Sequence, residues 1–104
     1  MSTKNRVRAK DAIKNLTGHI SFGEMLLTIR NSRDLTQVEM AEILDISKQD
    51  LCNIEKGRKI VSVERAVGFA TSFDMPPKVF AKYALQDQLT KAGIDGLVEI
   101  IDVA

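Results

Sequence analysis

A chain of 104 residues, 44% hydrophobic and 28% charged, fits one small soluble domain with a core of its own. No apolar run reaches the length of a membrane span, no signal peptide is visible, and the single cysteine, Cys52, supports neither a disulfide framework nor a metal site, so a cytoplasmic protein without metal or other cofactor is expected. The net charge of +1 is unevenly spread: residues 1–60 hold 11 Lys/Arg against 8 Asp/Glu and residues 61–104 hold 4 against 6, which places the positive side in the first part of the chain.

Met1 to Lys10 is polar and basic without periodicity, the pattern of a loose terminus or of a basic arm that reaches DNA. From Asp11 the spacing Ile13, Leu16, Ile20 suggests a short helix interrupted near Gly18, and the lone His19 has no partner for catalysis. Residues 1–20 are thus an arm with a short helix. Ser21 and Glu24 form a capping box for a helix to Ser32, with Phe22, Met25, Leu26 and Ile29 on one apolar face. Arg30 and Arg33 close it, suited either to the helix dipole or to a phosphate.

Thr36 and Glu39 form a second capping box, and Leu35 with Met40 a hydrophobic staple. The helix Gln37 to Leu44 should bury Met40, Ala41 and Leu44, with Ala41 small enough for a close helix crossing; Val38 and Ile43 lie off that face. Leu44-Asp45-Ile46 leaves about three residues to turn the chain, the connection of a helix-turn-helix. Asp45 sits where a left-handed residue is needed, and Asp tolerates that conformation better than most. Ser47 with Asp50, and Ile46 with Leu51, repeat the cap and staple more weakly for a helix Lys48 to Lys56 that Gly57 stops. Leu51 and Ile54 face inward, which leaves Lys48, Gln49, Cys52, Asn53 and Lys56 outward.

Ser62 caps a further helix, Val63 to Phe73, with Ala66, Val67, Phe69, Ala70 and Phe73 closing the core. Asp74-Met75-Pro76-Pro77 ends it, and a last helix runs from Pro77 to Ala92 with Gly93 at its end. That helix carries Val79, Phe80 and Tyr83 on one face and Leu85 and Leu89 on another, the second a surplus that suggests a partner helix. The tail 93–104 ends GLVEIIDVA, a strand-like run whose pairing partner would be the same segment of a second copy, or else a loosely packed terminus.

The stretch Leu35 to Gly57 resembles the phage-repressor helix-turn-helix family, that of Cro and lambda repressor, through Leu35, Thr36, Gln37, Ala41, Leu44, Ile46, Ser47, Ile54, Glu55 and Gly57. The resemblance covers roughly Phe22 to Phe80. It departs at Asp45, where the family usually has Gly, and at Asp50, where a small hydroxyl residue is commoner. It implies an all-α fold of five or six helices, here with a DNA-binding domain at 21–92 and a short strand at the C-terminus as an option. It also implies that Gln37 supports a backbone contact and braces the start of the recognition helix, and that Lys48, Gln49 and Asn53 reach bases.

The residues agree in kind. Gln49 and Asn53 can each pair with adenine N6 and N7, Lys48 can reach guanine O6 or N7, and Gln37, Lys56, Arg58 and Lys59 suit phosphates. Catalysis is not indicated: one His, one Cys and no carboxylate pair beside a base. The expected protein is a repressor that binds double-stranded DNA at a palindromic operator as a homodimer. The alternative is an antitoxin that binds a toxin protein through its apolar tail and represses its own operon.

Overall fold

A computed structural model describes residues 20–103, and the expected basic arm and short helix before Ile20 lie outside the described residues. Five helices follow: α1 (Phe22–Ser32), α2 (Gln37–Leu44), α3 (Lys48–Glu55), α4 (Val63–Ser72) and α5 (Pro77–Lys91). Each start obeys a local signal. Ser21 and Thr36 close reciprocal capping boxes with Glu24 and Glu39, Ser47 and Ser62 each accept one backbone N–H of the first turn, and Pro77 opens α5.

The ends share one device. In all five, the chain turns through a left-handed residue (Asp34, Asp45, Gly57, Asp74 or Gly93), and a six-residue backbone hydrogen bond closes the turn. Asp45, at φ 58° and ψ 46°, makes the helix-turn-helix connection in the expected left-handed form. An Asp there carries both a Cβ penalty and a negative charge at the negative end of a helix dipole. Asp45→Gly is therefore expected to raise the unfolding free energy by about 1 kcal/mol, less what the freer unfolded chain takes back, read as a shifted urea midpoint at constant slope.

The core is built of aliphatic side chains and four phenylalanines, three of them in contact through Phe22. Phe22 stands edge-on to Phe80 at 5.7 Å between centroids and tilts against Phe69 at 6.3 Å. Met25, Leu26, Met40, Ala41, Leu44, Leu51, Ile54, Val61, Ala66, Ala70, Phe73 and Ala84 complete it, with the staple residues Leu35 and Ile46 packed at its margin. α4 packs mainly on α5, while α1 lies against α3 and α5, and α2 against α3 and α4. The recognition pair α2–α3 thus rests on a base of three helices, as two helices of eight residues require.

Three expectations about the C-terminal part change. Val79 is exposed rather than packed, and Leu85 and Leu89 are half-buried rather than surplus. The tail forms no strand among the described residues, because a single extended segment beside helices has no ladder to join. Instead it runs back along α5. The buried Gln86 amide donates to Gly96 O (2.8 Å) and accepts from Val98 N (2.7 Å), and Lys78 pairs with Asp102 nearer the start of the helix. The most exposed large apolar side chains among the described residues lie in that tail, where Ile101 and Val103 are 80% and 96% exposed.

Candidate nucleic-acid interface

The outward face of α3 is built from its ends. At its N-terminus Ser47 accepts from Asp50 N (2.9 Å), but Asp50 does not return the bond. Its carboxylate instead holds Lys59 Nζ and Arg65 Nη2, each at 2.5 Å, tying the loop after α3 and the start of α4 to the first turn of α3. Those two cations, Lys59 first, hold the Asp50 carboxyl below the usual carboxylate range, more than its partial burial raises it.

At the other end Glu55, expected only as part of the family signature, is buried. Arg30 grips its carboxylate at two points, Nε to Oε2 at 2.7 Å and Nη2 to Oε1 at 3.1 Å, and its Nη1 also donates to Leu35 O. Gln37 Nε2 donates to Glu55 Oε1 at 2.9 Å. One carboxylate thereby joins α1, α2 and α3. Gln37 does brace the recognition helix, but at its last residue rather than at its start. Arg30 is committed to this pair, and Arg33 lies over the Phe73 ring at 4.9 Å while donating to Phe73 O.

The last support is a backbone contact. On α1 the Cα of Gly23 faces the end of α3, and a Cβ there would sit 3.0 Å from the Ile54 carbonyl carbon and 3.2 Å from the Glu55 Cα. Only glycine permits this approach. A glycine inside an otherwise regular helical pattern was the available signal for it.

On this frame Lys48 and Gln49 are exposed and Asn53 is half-buried, with Gln49 and Asn53 one turn apart on the same face. Gln49 Nε2 donates to Asn53 Oδ1 at 3.2 Å, and Arg58 Nε donates to the same oxygen at 3.1 Å. Lys56 is exposed beyond the helix end, whereas Lys59 is drawn to Asp50 and away from the free position expected of it. A helix is about 10–12 Å across with its side chains, so this face has the size of the major groove, about 12 Å wide. Among the described residues no group of His, Cys, Asp and Glu could hold a metal ion, and no helix is long and apolar enough to cross a membrane.

A family model for helix-turn-helix domains matches residues 26–80, the span from α1 into α5 that contains the turn, the Glu55 brace and the outward face. Neither curated proteins nor solved structures provide a match to the chain.

Proposed function

The chain belongs to the Cro/C1-type helix-turn-helix family of DNA-binding transcription regulators, and from that premise we propose that it is a cytoplasmic repressor that binds a palindromic operator as a homodimer. The observation that carries the reading is the outward Lys48–Gln49–Asn53 face of α3, with Lys48 and Gln49 exposed and Asn53 half-buried, held from behind by Glu55 and Gly23. α3 enters the major groove and offers Lys48, Gln49 and Asn53 to base edges, while Gln37, at the positive end of α2, Lys56, Arg58 and Lys59 serve the phosphates. Lys59 reaches a phosphate by exchanging the Asp50 carboxylate for it. Occupying a promoter suffices for repression.

Two kinds of substitution are expected to behave differently. Gln49→Ala should cost roughly 1–3 kcal/mol on the selected operator and much less on random duplex, because a lost base contact matters only where the right base is present. Lys56→Ala should weaken both duplexes alike and reduce the salt slope by about one unit. Titrations of both variants on operator and scrambled DNA at several salt concentrations check this. Equal losses on the two duplexes for Gln49→Ala would remove α3 as the reader.

The homodimer reading is supported by the exposed apolar tail, whose Leu97, Ile100, Ile101 and Val103 have little cover in the single chain. Removing residues 96–104 is expected to shift the sedimenting mass toward monomer at low micromolar concentration. The same surface favours the antitoxin reading. There a toxin protein would cover the tail, the full-length chain alone would sediment as a monomer, and it would co-purify with the product of a neighbouring gene.

A further inference from the structure

Arg58 stands among the cations that follow the recognition helix, but its geometry differs from theirs. Gly57, at φ 76°, turns the chain back on α3, and the Asn53 carbonyl oxygen accepts the Arg58 backbone N–H at 2.9 Å. The Asn53 side chain then takes the guanidinium: Nε donates to Oδ1 at 3.1 Å, while Nη2 lies 3.8 Å from Cys52 Sγ. Residues 49, 52 and 53 share one side of a helix. The guanidinium therefore lies over the outward side of α3, not out at its flank where the strands of a duplex would run.

Chemistry fixes the polarity of this cluster. Arginine has donors only, so the Asn53 atom facing it must be the oxygen, and Gln49 must meet that oxygen with its NH2. A carbonyl oxygen has two lone pairs, and both are taken. Asparagine reads adenine by accepting from N6 through this oxygen and donating to N7. Asn53, with Oδ1 filled, is not set up for that. Arg58 has the complementary property. The edge carrying Nε and Nη2 is turned to the protein, which leaves the edge with one hydrogen on each Nη facing outward. Two parallel donors match guanine O6 and N7.

We propose that Arg58 is a base-reading residue for guanine and that Asn53 is the positioning residue that aims it. This rests on the DNA-binding reading above and revises two roles within it: Arg58 moves from the phosphates to the bases, and Asn53 from reading to holding.

The test uses the full chain and a pool of duplexes with a randomised core, in which bound and unbound fractions are sequenced. Wild-type protein is expected to enrich a motif with guanine at a fixed place in each half-site. Arg58→Ala and Arg58→Gln should reduce the preference for that guanine at least about tenfold and leave the other positions as they were. Asn53→Ala should weaken the preference at the same position, although Asn53 itself touches no base there. A motif unchanged in Arg58→Ala, with binding uniformly weaker on all duplexes, would overturn the proposal and return Arg58 to the phosphates. So would a loss of adenine preference at a separate position in Asn53→Ala with the guanine intact. Failure of the wild-type protein to enrich any motif would be the different result, overturning sequence-specific binding itself and the Arg58 assignment with it.

Discussion

Glu55→Ala is expected to cost the domain about 3–5 kcal/mol, the range for removing one partner of a buried ion pair. The Glu55 side chain is 3% exposed and that of Arg30 15% exposed, so truncation leaves a guanidinium that water reaches poorly and that keeps, among the described residues, only Leu35 O as a partner. The Gln37 amide loses its acceptor in the same step. Much of the loss is the penalty of the stranded charge, not the worth of the pair. The double variant Arg30→Met/Glu55→Leu is therefore expected to regain most of the stability. It would not regain the Gln37 brace, so its operator affinity should stay below wild type. Urea unfolding of the single and double variants measures the first claim, and operator titration the second. A loss under about 1 kcal/mol in Glu55→Ala would show that the pair is solvated and that α3 is held by apolar packing alone.

What the sequence disclosed follows a physical division. Helix starts depend on neighbours three residues apart, so Ser21 with Glu24, Thr36 with Glu39 and Ser62 before Val63 marked α1, α2 and α4 before any tertiary contact was known. Stops depend on one left-handed residue, and Asp45 and Gly57 announced theirs. Burial on α2 and α3 followed the helical period: Met40, Ala41, Leu44, Leu51 and Ile54 are all inside. The outward residues were legible as their complement.

What escaped depends on partners far apart in the chain. Glu55 meets Arg30 across 25 residues, and Asp50 meets Arg65 across 15. No local pattern selects these partners from the other charged residues. The helical period places Glu55 next to the inward Ile54, but it cannot say that an arginine waits there. No local pattern marks Gln86 as buried, and its two bonds to the tail explain why Gly96 to Val98 lie where they do. The tail follows a related rule: β-branched composition favours an extended backbone, and strand formation needs a second edge, which the single chain does not supply.

Gly23→Ala is expected to destabilise the domain by about 2 kcal/mol, against the helix scale. In a helix interior alanine is favoured over glycine by about 1 kcal/mol. At position 23 the new methyl would run into the carbonyl group of Ile54, and its nearest neighbours are backbone atoms of α3 and not the yielding tip of a side chain. Relief requires α1 and α3 to move apart along their shared contact, an overpacking cost of about 3 kcal/mol that exceeds the propensity gain. Gly68 supplies the control. It sits within α4 with nothing inside 4 Å of an added Cβ, so Gly68→Ala is expected to stabilise by about 0.5–1 kcal/mol. The same chemical change should thus shift the urea midpoint in opposite directions at the two sites. Because Gly23 faces the residues that end α3, its variant should also bind operator more weakly at temperatures where it is fully folded, while Gly68→Ala binds as wild type. If both variants gained stability, the close approach of α1 to α3 would be absent in solution. The recognition helix would then rest on the Glu55 ion pair and on Leu51 and Ile54 alone.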